Sequence, residues 1–345
     1  MNKQLNGTLK VTAESTSVNF ASYVDTKYSV STKTFVKNNN ISYNYAPSLS
    51  LINDKQGGTA LDVDGNIRYY GASPNNYIYF NCDDYSNQTS STCEIWRIIG
   101  VFEGKVKIMR GSVIGTYSWD NKDTSTGAES TYGKNDWSTA RLMKLLNPSD
   151  YYEVDSNDNG NGQSLYWNSQ SGTCFAGQNN ATKACDFTST GIKNDKTRNM
   201  ISESMWYLRG WNSHSVYSDQ MYNYERTTGS VYNETTRDKS WTGKIALAYP
   251  SDYGYAADFG QCTKQLSSYN DSTCASNNWM KTIIAPNYGW LLTPLSGNAN
   301  GAWYVYSAGN FGNGNTYYAS GVAPVLYLGS ELEIKAGDGK SDSPY

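Results

Sequence analysis

Gly289-Trp290-Leu291-Leu292-Thr293-Pro294 opens the stretch that decides how this chain is read, and Gly321-Val322-Ala323-Pro324-Val325-Leu326-Tyr327-Leu328 closes it. Both ends are apolar and predict buried strands. Between them lie Asn298, Asn300, Trp303, Tyr304, Tyr306, Ser307, Asn310, Phe311, Asn313, Asn315, Tyr317, Tyr318 and Ser320. Binding surfaces have this mixture: Tyr and Trp supply rigid contact area at low entropic cost, while Ser, Asn and Gly supply adaptable hydrogen bonding. These residues are the expected ligand contacts, with Trp290, Leu291, Val325, Leu326 and Tyr327 as the packing beneath. Trp290 and Trp303 have a competing reading as core.

The totals narrow the classes. At 345 residues the chain suits one large domain, or one with a smaller module. Charged residues make up 17% and aromatics 14%, the reverse of a disordered chain. A net charge of −3 without a basic run argues against nucleic acid as a partner. No apolar run approaches the roughly 18 residues of a membrane span. Met1-Asn2-Lys3-Gln4 does not read as an export signal, so location rests on the cysteines.

Those cysteines fall in neighbouring couples: Cys82 with Cys93, Cys174 with Cys185, and Cys262 with Cys274. Six cysteines allow about 15 pairings. Neighbour pairing needs only a local loop to close, at about 2–3 kcal/mol of stabilisation per bond. Free buried thiols are the alternative. Zinc fits poorly, because no Cys-x-x-Cys occurs and one His leaves few ligands. Three local disulfides imply an oxidising compartment and an extracellular or cell-surface protein.

Read in order, residues 1–60 predict a small β-rich arm or module. Leu9–Thr12, Ser17–Phe20, Tyr28–Ser31 and Thr34–Val36 alternate, Asn38-Asn39-Asn40 is a turn and Gln56-Gly57-Gly58 a loop. A larger domain over 61–336 follows, then a frayed tail at 337–345. Asp62-Val63-Asp64-Gly65-Asn66 and Asp155–Gly160 resemble the start of calcium loops, but the first lacks the distal Glu, and a hairpin turn is favoured at the first and a solvated loop at the second. Tyr77–Phe80 predicts a strand, and Glu94–Phe102 with Lys105–Arg110 a hairpin around Glu103-Gly104. Helices are predicted over 136–147, capped by Asp136 and stopped by Pro148, and over 194–208, with Met200, Ile201, Met205 and Leu208 on one face.

This α+β pattern resembles the C-type lectin fold: few strands, two helices, long disulfide-clipped loops and a terminal Gly-Val-x-Pro-x-Leu strand. The 289–328 segment is similar to the diversified region of diversity-generating-retroelement variable proteins, which carry that fold. Arg68-Tyr69-Tyr70-Gly71 with Asn75-Asn76-Tyr77, Trp96–Val101, and Trp119-Asp120 with Asn135-Asp136-Trp137 resemble blocks of gut Firmicutes surface proteins. The resemblance spans about 61–345. It implies ligand binding without chemistry, at positions varied by adenine-directed mutagenesis on a fixed backbone. Ala323 departs from a related pattern that carries Arg there. The Glu-Pro-Asn or Gln-Pro-Asp of calcium-dependent sugar sites is absent, so sugar specificity is not carried over.

An enzyme of the formylglycine-generating kind, on the same fold, would need reactive thiols. His214, the single His, lies in a polar loop, and no Gly-x-Ser-x-Gly accompanies it. The sequence therefore predicts a non-enzymatic receptor-binding surface protein that needs neither cofactor nor metal and takes an unidentified protein or glycan ligand. The alternative is a subunit of a pilus or surface assembly, self-associating through its N-terminal region by strand addition.

Overall fold

The hairpin of Glu94–Phe102 and Lys105–Arg110 is the spine of the larger sheet. Its inner positions are buried on both faces, which explains the nearly unbroken apolar run in the sequence. Glu103 and Gly104, at φ 50° and 74°, make the turn. The computed structural model describes residues 18–55, 65–122, 133–158, 160–286, 288–334 and 336–345. Among these residues the protein is a sheet-rich α+β chain with few, short helices and three disulfides.

The larger sheet runs Ile245–Ala246, Val325–Tyr327, Lys105–Arg110, Glu94–Phe102, Ile67–Tyr69, Leu51–Asn53, Ile41–Ala46 and Thr34–Asn38, with Tyr77–Phe80 also on Glu94–Phe102. The separate N-terminal module expected from the sequence is therefore corrected over 34–53: these strands continue the main sheet. The physical reason is burial. Tyr43, Tyr45, Leu51 and Ile52 are at most 2% exposed, and the Tyr45 ring packs 4.2 Å from Tyr70. Asn39 and Asn40, at φ 47° and 62°, form the expected turn. Leu9–Thr12, Gln56–Gly58 and the Asp62–Asp64 part of the calcium-like loop lie outside the described residues.

Three further expectations are corrected. Tyr28–Ser31 is not a strand, because Phe20–Val30 forms an α-helix. Asn19 caps it by accepting from Ser22 N at 3.0 Å, and Phe20, Ala21 and Val24 bury one face. The helix over 136–147 shrinks to Arg141–Leu146, preceded by a 3-10 turn; the Asp136 side chain takes Ser138 Oγ at 2.7 Å and caps nothing. The helix over 194–208 ends at Met200, and Ser204–Tyr207 is a strand paired with Ser240–Gly243. There the period is two: Trp206 faces Trp241 in the interior and Met205 is 53% exposed.

The tail is not frayed over its described part. Tyr345 donates to Tyr77 O and accepts from Tyr79 N, and its ring meets Phe20 at 5.4 Å. A buried ionic cluster ties the sheet to the helix Pro250–Tyr255: Asp252 receives Arg68 and Lys107, and Arg68 also reaches Asp54. Burial alone would raise the Asp252 carboxyl, but Lys107 and Arg68 outweigh it and hold it at about 2.

The second sheet runs Phe311–Asn315, Gly301–Tyr306, Tyr288–Pro294, Ala319–Gly321 and Thr116–Ser118. Tyr288–Pro294 and Ala319–Gly321 are parallel; the other neighbours are antiparallel. This sheet carries most of the stretch with which the sequence reading began.

Candidate binding face

Strand alternation sorts that stretch into two faces. Tyr288 pairs with Tyr306, Trp290 with Tyr304, and Tyr304 in turn with Gly312. Paired residues share a face, so Tyr288, Trp290, Tyr304, Tyr306, Gly312 and Gly314 lie on one side. Trp303, Val305 and Phe311 lie on the other, and all three are at most 1% exposed.

The first side is a tyrosine cluster on a glycine floor. Tyr304 and Tyr306 stand 4.9 Å apart, and Tyr288 sits 5.5 Å from Tyr306 and 5.7 Å from Tyr304. These are edge-to-face contacts, the arrangement aromatic quadrupoles prefer. A Cβ on Gly312 would come within 2.1 Å of the Tyr306 ring, and one on Gly314 within 2.6 Å of Tyr304 and 3.2 Å of Tyr318. The two glycines therefore give the rings room to lie across the strand. Trp290, 2% exposed, packs edge-on beside Tyr304 from the neighbouring strand and donates its Nε1 to Tyr117 O at 3.0 Å.

A second pair extends the face. Tyr317 and Tyr318 are 4.4 Å apart, and Tyr318 is 49% exposed. Hydrogen bonds with Tyr318, Asn315 and Gln178 hold the Tyr317 hydroxyl below the ordinary phenol range, and its bond to Tyr318 pushes that second phenol up. Gln178 belongs to the hairpin of Ser171–Phe175 and Thr182–Asp186, stapled by Cys174–Cys185. Tyr317 O accepts from Gly177 N and Ser118 Oγ, while Asn121 Nδ2 holds Gly177 O and Ala181 O, both at 2.9 Å. The tip of that hairpin is thus fixed beside the tyrosines.

Of the expected contacts, Asn298, Ser307, Asn313 and Tyr318 are exposed, and Asn300, Tyr304, Tyr306, Asn310 and Asn315 are half-buried. Trp303, Phe311, Tyr317 and Ser320 are buried, at 0%, 1%, 9% and 7%. Trp303 and Phe311 are corrected to core: both point inward from their strands, and Phe311 packs on Tyr253 at 5.5 Å. Ser320 is covered where its strand pairs with Tyr117. Asn298 serves its own turn, its Oδ1 accepting from Gly301 N at 2.6 Å. Below that turn, buried Asn135 donates to Leu295 O, Asn298 O and Gly301 O, and Arg237 bonds Asn135 Oδ1 and Ala299 O.

Sequence reasoning missed Tyr288, 49% exposed, one residue before the stretch it singled out. It also missed Gln178, whose neighbourhood is set by pairing across more than a hundred residues. The aromatic and amide residues of the face are all uncharged; Lys281 flanks it at Gly309.

Other centres offer less. Asp158, in the second calcium-like loop, is bound by Arg141 Nε at 3.0 Å and Lys144 Nζ at 2.7 Å, so two cations already neutralise it. Among the described residues no group of three or more His, Cys, Asp or Glu could hold a metal. His214 rests edge-on against Trp303 at 5.9 Å. All six cysteines are paired as neighbours, and no helix is long and apolar enough to cross a membrane among the described residues. Three disulfides suit an oxidising, extracellular setting.

No family model, curated protein or solved structure matches this chain.

Proposed function

We propose that the chain is a non-enzymatic binding protein that presents the face of Tyr288, Tyr304, Tyr306 and Tyr318, with Asn315 and Gln178 joined to it through the Tyr317 hydroxyl, to a protein or glycan on another surface. One observation carries the reading: exposed and half-buried tyrosines cluster over Gly312 and Gly314, on strands that bury Trp303, Val305 and Phe311 on their opposite side. Side chains on that face can change while Trp303, Val305 and Phe311 keep the backbone in place. That is the property a diversifiable display on a C-type lectin scaffold requires, and it is why we keep the retroelement variable-protein reading as part of this proposal. Aromatic anchors in a few hot spots would supply most of the affinity.

The test compares the labelled protein with a variant carrying Tyr288→Ser, Tyr306→Ser and Tyr318→Ser on printed glycans and on bacterial and epithelial cell surfaces. Wherever the native chain binds, the variant should lose at least about tenfold in affinity at unchanged thermal stability. Undiminished binding by a folded variant would refute the proposal. The coding DNA gives a second check: codons after Pro294 should differ from a nearby template repeat only at its adenines.

A second reading, self-assembly, rests on a different place. Thr34–Asn38 ends the larger sheet, and Phe35 on it is 76% exposed. Exposed apolar edges invite another strand. Light scattering decides: a monomer at high concentration, with Phe35→Lys changing nothing, removes this reading.

A further inference from the structure

A cavity of about 70 Å³ lies against the larger sheet, and none of its lining residues belongs to the tyrosine face. Its walls come from separate parts of the chain: Phe102 and Lys105 at the central hairpin, Tyr207, Tyr222 and Arg226 opposite, and Tyr249. Arg226 dominates it. Its side chain is 6% exposed, and its guanidinium is stacked 3.7 Å from the Tyr222 ring and 4.8 Å from Tyr249. Nη1 is anchored by Glu225 Oε2 at 2.9 Å. Stacking fixes the guanidinium plane and leaves hydrogen bonding to its edges.

The surroundings are rich in cations and donors. Arg68 and Lys107 lie behind the same aromatic walls: Arg68 is 4.5 Å from Phe102 and 5.5 Å from Tyr222, and Lys107 is 4.5 Å from Tyr249. Their carboxylate partners are Asp54 and Asp252, which leaves Glu225 to balance Arg226. Glu225 is a weak counter-charge. Its oxygens are engaged by Ser251 N and Ser251 Oγ, and burial pushes its carboxyl up to about 7. Arg68 Nη2, on a side chain 1% exposed, has no hydrogen-bond partner among the described residues. Arg226 itself stays protonated. Three cations, Arg68, Lys107 and Arg226, thus share this region with two aspartates and a glutamate whose charged form burial disfavours. The cluster also adjoins a space that holds a few waters or one small oxyanion, far too small for a nucleotide or a sugar chain.

We infer that this cavity is a binding site for a small carboxylate of formate or acetate size, gripped at its edge by Arg226 between Tyr222 and Tyr249. A planar fork facing a planar anion is the geometry in which Arg exceeds Lys. Lys105 at the rim adds a positive charge on the way in, against Glu103 beside it.

The experiment has two arms on the full chain. Thermal unfolding is followed in sodium formate and in sodium gluconate at equal ionic strength, since gluconate is too large for the cavity. Formate at 100 mM should raise the melting temperature by about 2 °C over gluconate, saturably. Crystals soaked in sodium bromide, a small-anion stand-in, should show an anomalous peak beside Arg226. Arg226→Gln should abolish both effects. Should that variant fail to fold, Arg226→Lys keeps the charge and removes the planar fork, and is expected to weaken the formate response several-fold. Water alone in the cavity, with equal melting in the two salts, overturns the inference; bromide seen only at surface lysines does the same.

Discussion

Raising the pH should unfold this protein abruptly, and the tyrosines set where. Tyr43, Tyr45, Tyr69, Tyr166, Tyr249, Tyr253, Tyr255, Tyr269 and Tyr327 are each at most 9% exposed, and burial holds all nine phenols well above their ordinary value. In the unfolded chain they ionise near about pH 10. Above that pH the native state binds more protons than the unfolded state, so stability falls as pH rises. Each phenol contributes a slope of about 1.4 kcal/mol per pH unit once the unfolded form is ionised. Nine together remove about 7–8 kcal/mol by pH 10.5 and about 12–13 by pH 11. Domains are stable by roughly 5–15 kcal/mol, so the transition should fall between about pH 10.3 and 11.2. Lys107, pushed down to about 8 by burial, works in the opposite sense between pH 8 and 10.5, but one amine cannot offset nine phenols. The assay is absorbance of tyrosinate at about 295 nm alongside near-ultraviolet circular dichroism. A first, reversible phase should report exposed phenols such as Tyr318. A second should coincide with loss of the dichroism. A single titration of all 30 tyrosines near pH 10, with the dichroism intact, would refute the reasoning.

Four further outcomes can be checked separately. Gly312→Ala should cost less than about 1 kcal/mol, because the half-buried Tyr306 ring can swing away, yet should disturb the face; Gly289→Ala should cost several times more, since its Cβ would meet Ile284 O at 1.7 Å. Denaturant titration ranks the two. Asn135→Ala strands three carbonyls and Arg237, and should cost about 3 kcal/mol or more by the same measurement. Wild type should be more stable at pH 5 than at pH 7.5. Glu225, raised to about 7, contributes stability that is full below its unfolded value and is lost as pH rises through 7, so Glu225→Gln should flatten that difference. Breaking Cys174–Cys185 by Ser substitution should cost about 3 kcal/mol on the chain-entropy model and loosen Gln178 beside Tyr317, read as a rise in the low-pH arm of the tyrosinate titration.

What the sequence disclosed follows from how local each signal is. The hairpin around Glu103-Gly104, the Asn39-Asn40 turn and three disulfides closing short loops are set by neighbours in the chain, and each was legible. The stretch after Ile201 misled because Met200, Ile201, Met205 and Leu208 satisfy a helical stripe by chance. Pairing of Trp206 with Trp241, far along the chain, imposes a period of two instead. The same limit applies to the binding face. Its composition marked the region, but only the register of Tyr304 on Trp290 and Gly312 separates outward Tyr304 and Tyr306 from inward Trp303. Tyr288 and Gln178 join it by tertiary placement, which no local pattern encodes.

Each cystine closes on itself over 11 or 12 residues, and none ties one sheet to the other. The excursions are therefore knotted off like side pockets on a garment. They are not equally free: Leu266 and Tyr269 reach into the interior from the third, and Gly177 in the second holds Tyr317. An engineer grafting a foreign peptide would find the open insertion point between Ser86 and Ser91 in the first, where no residue is buried.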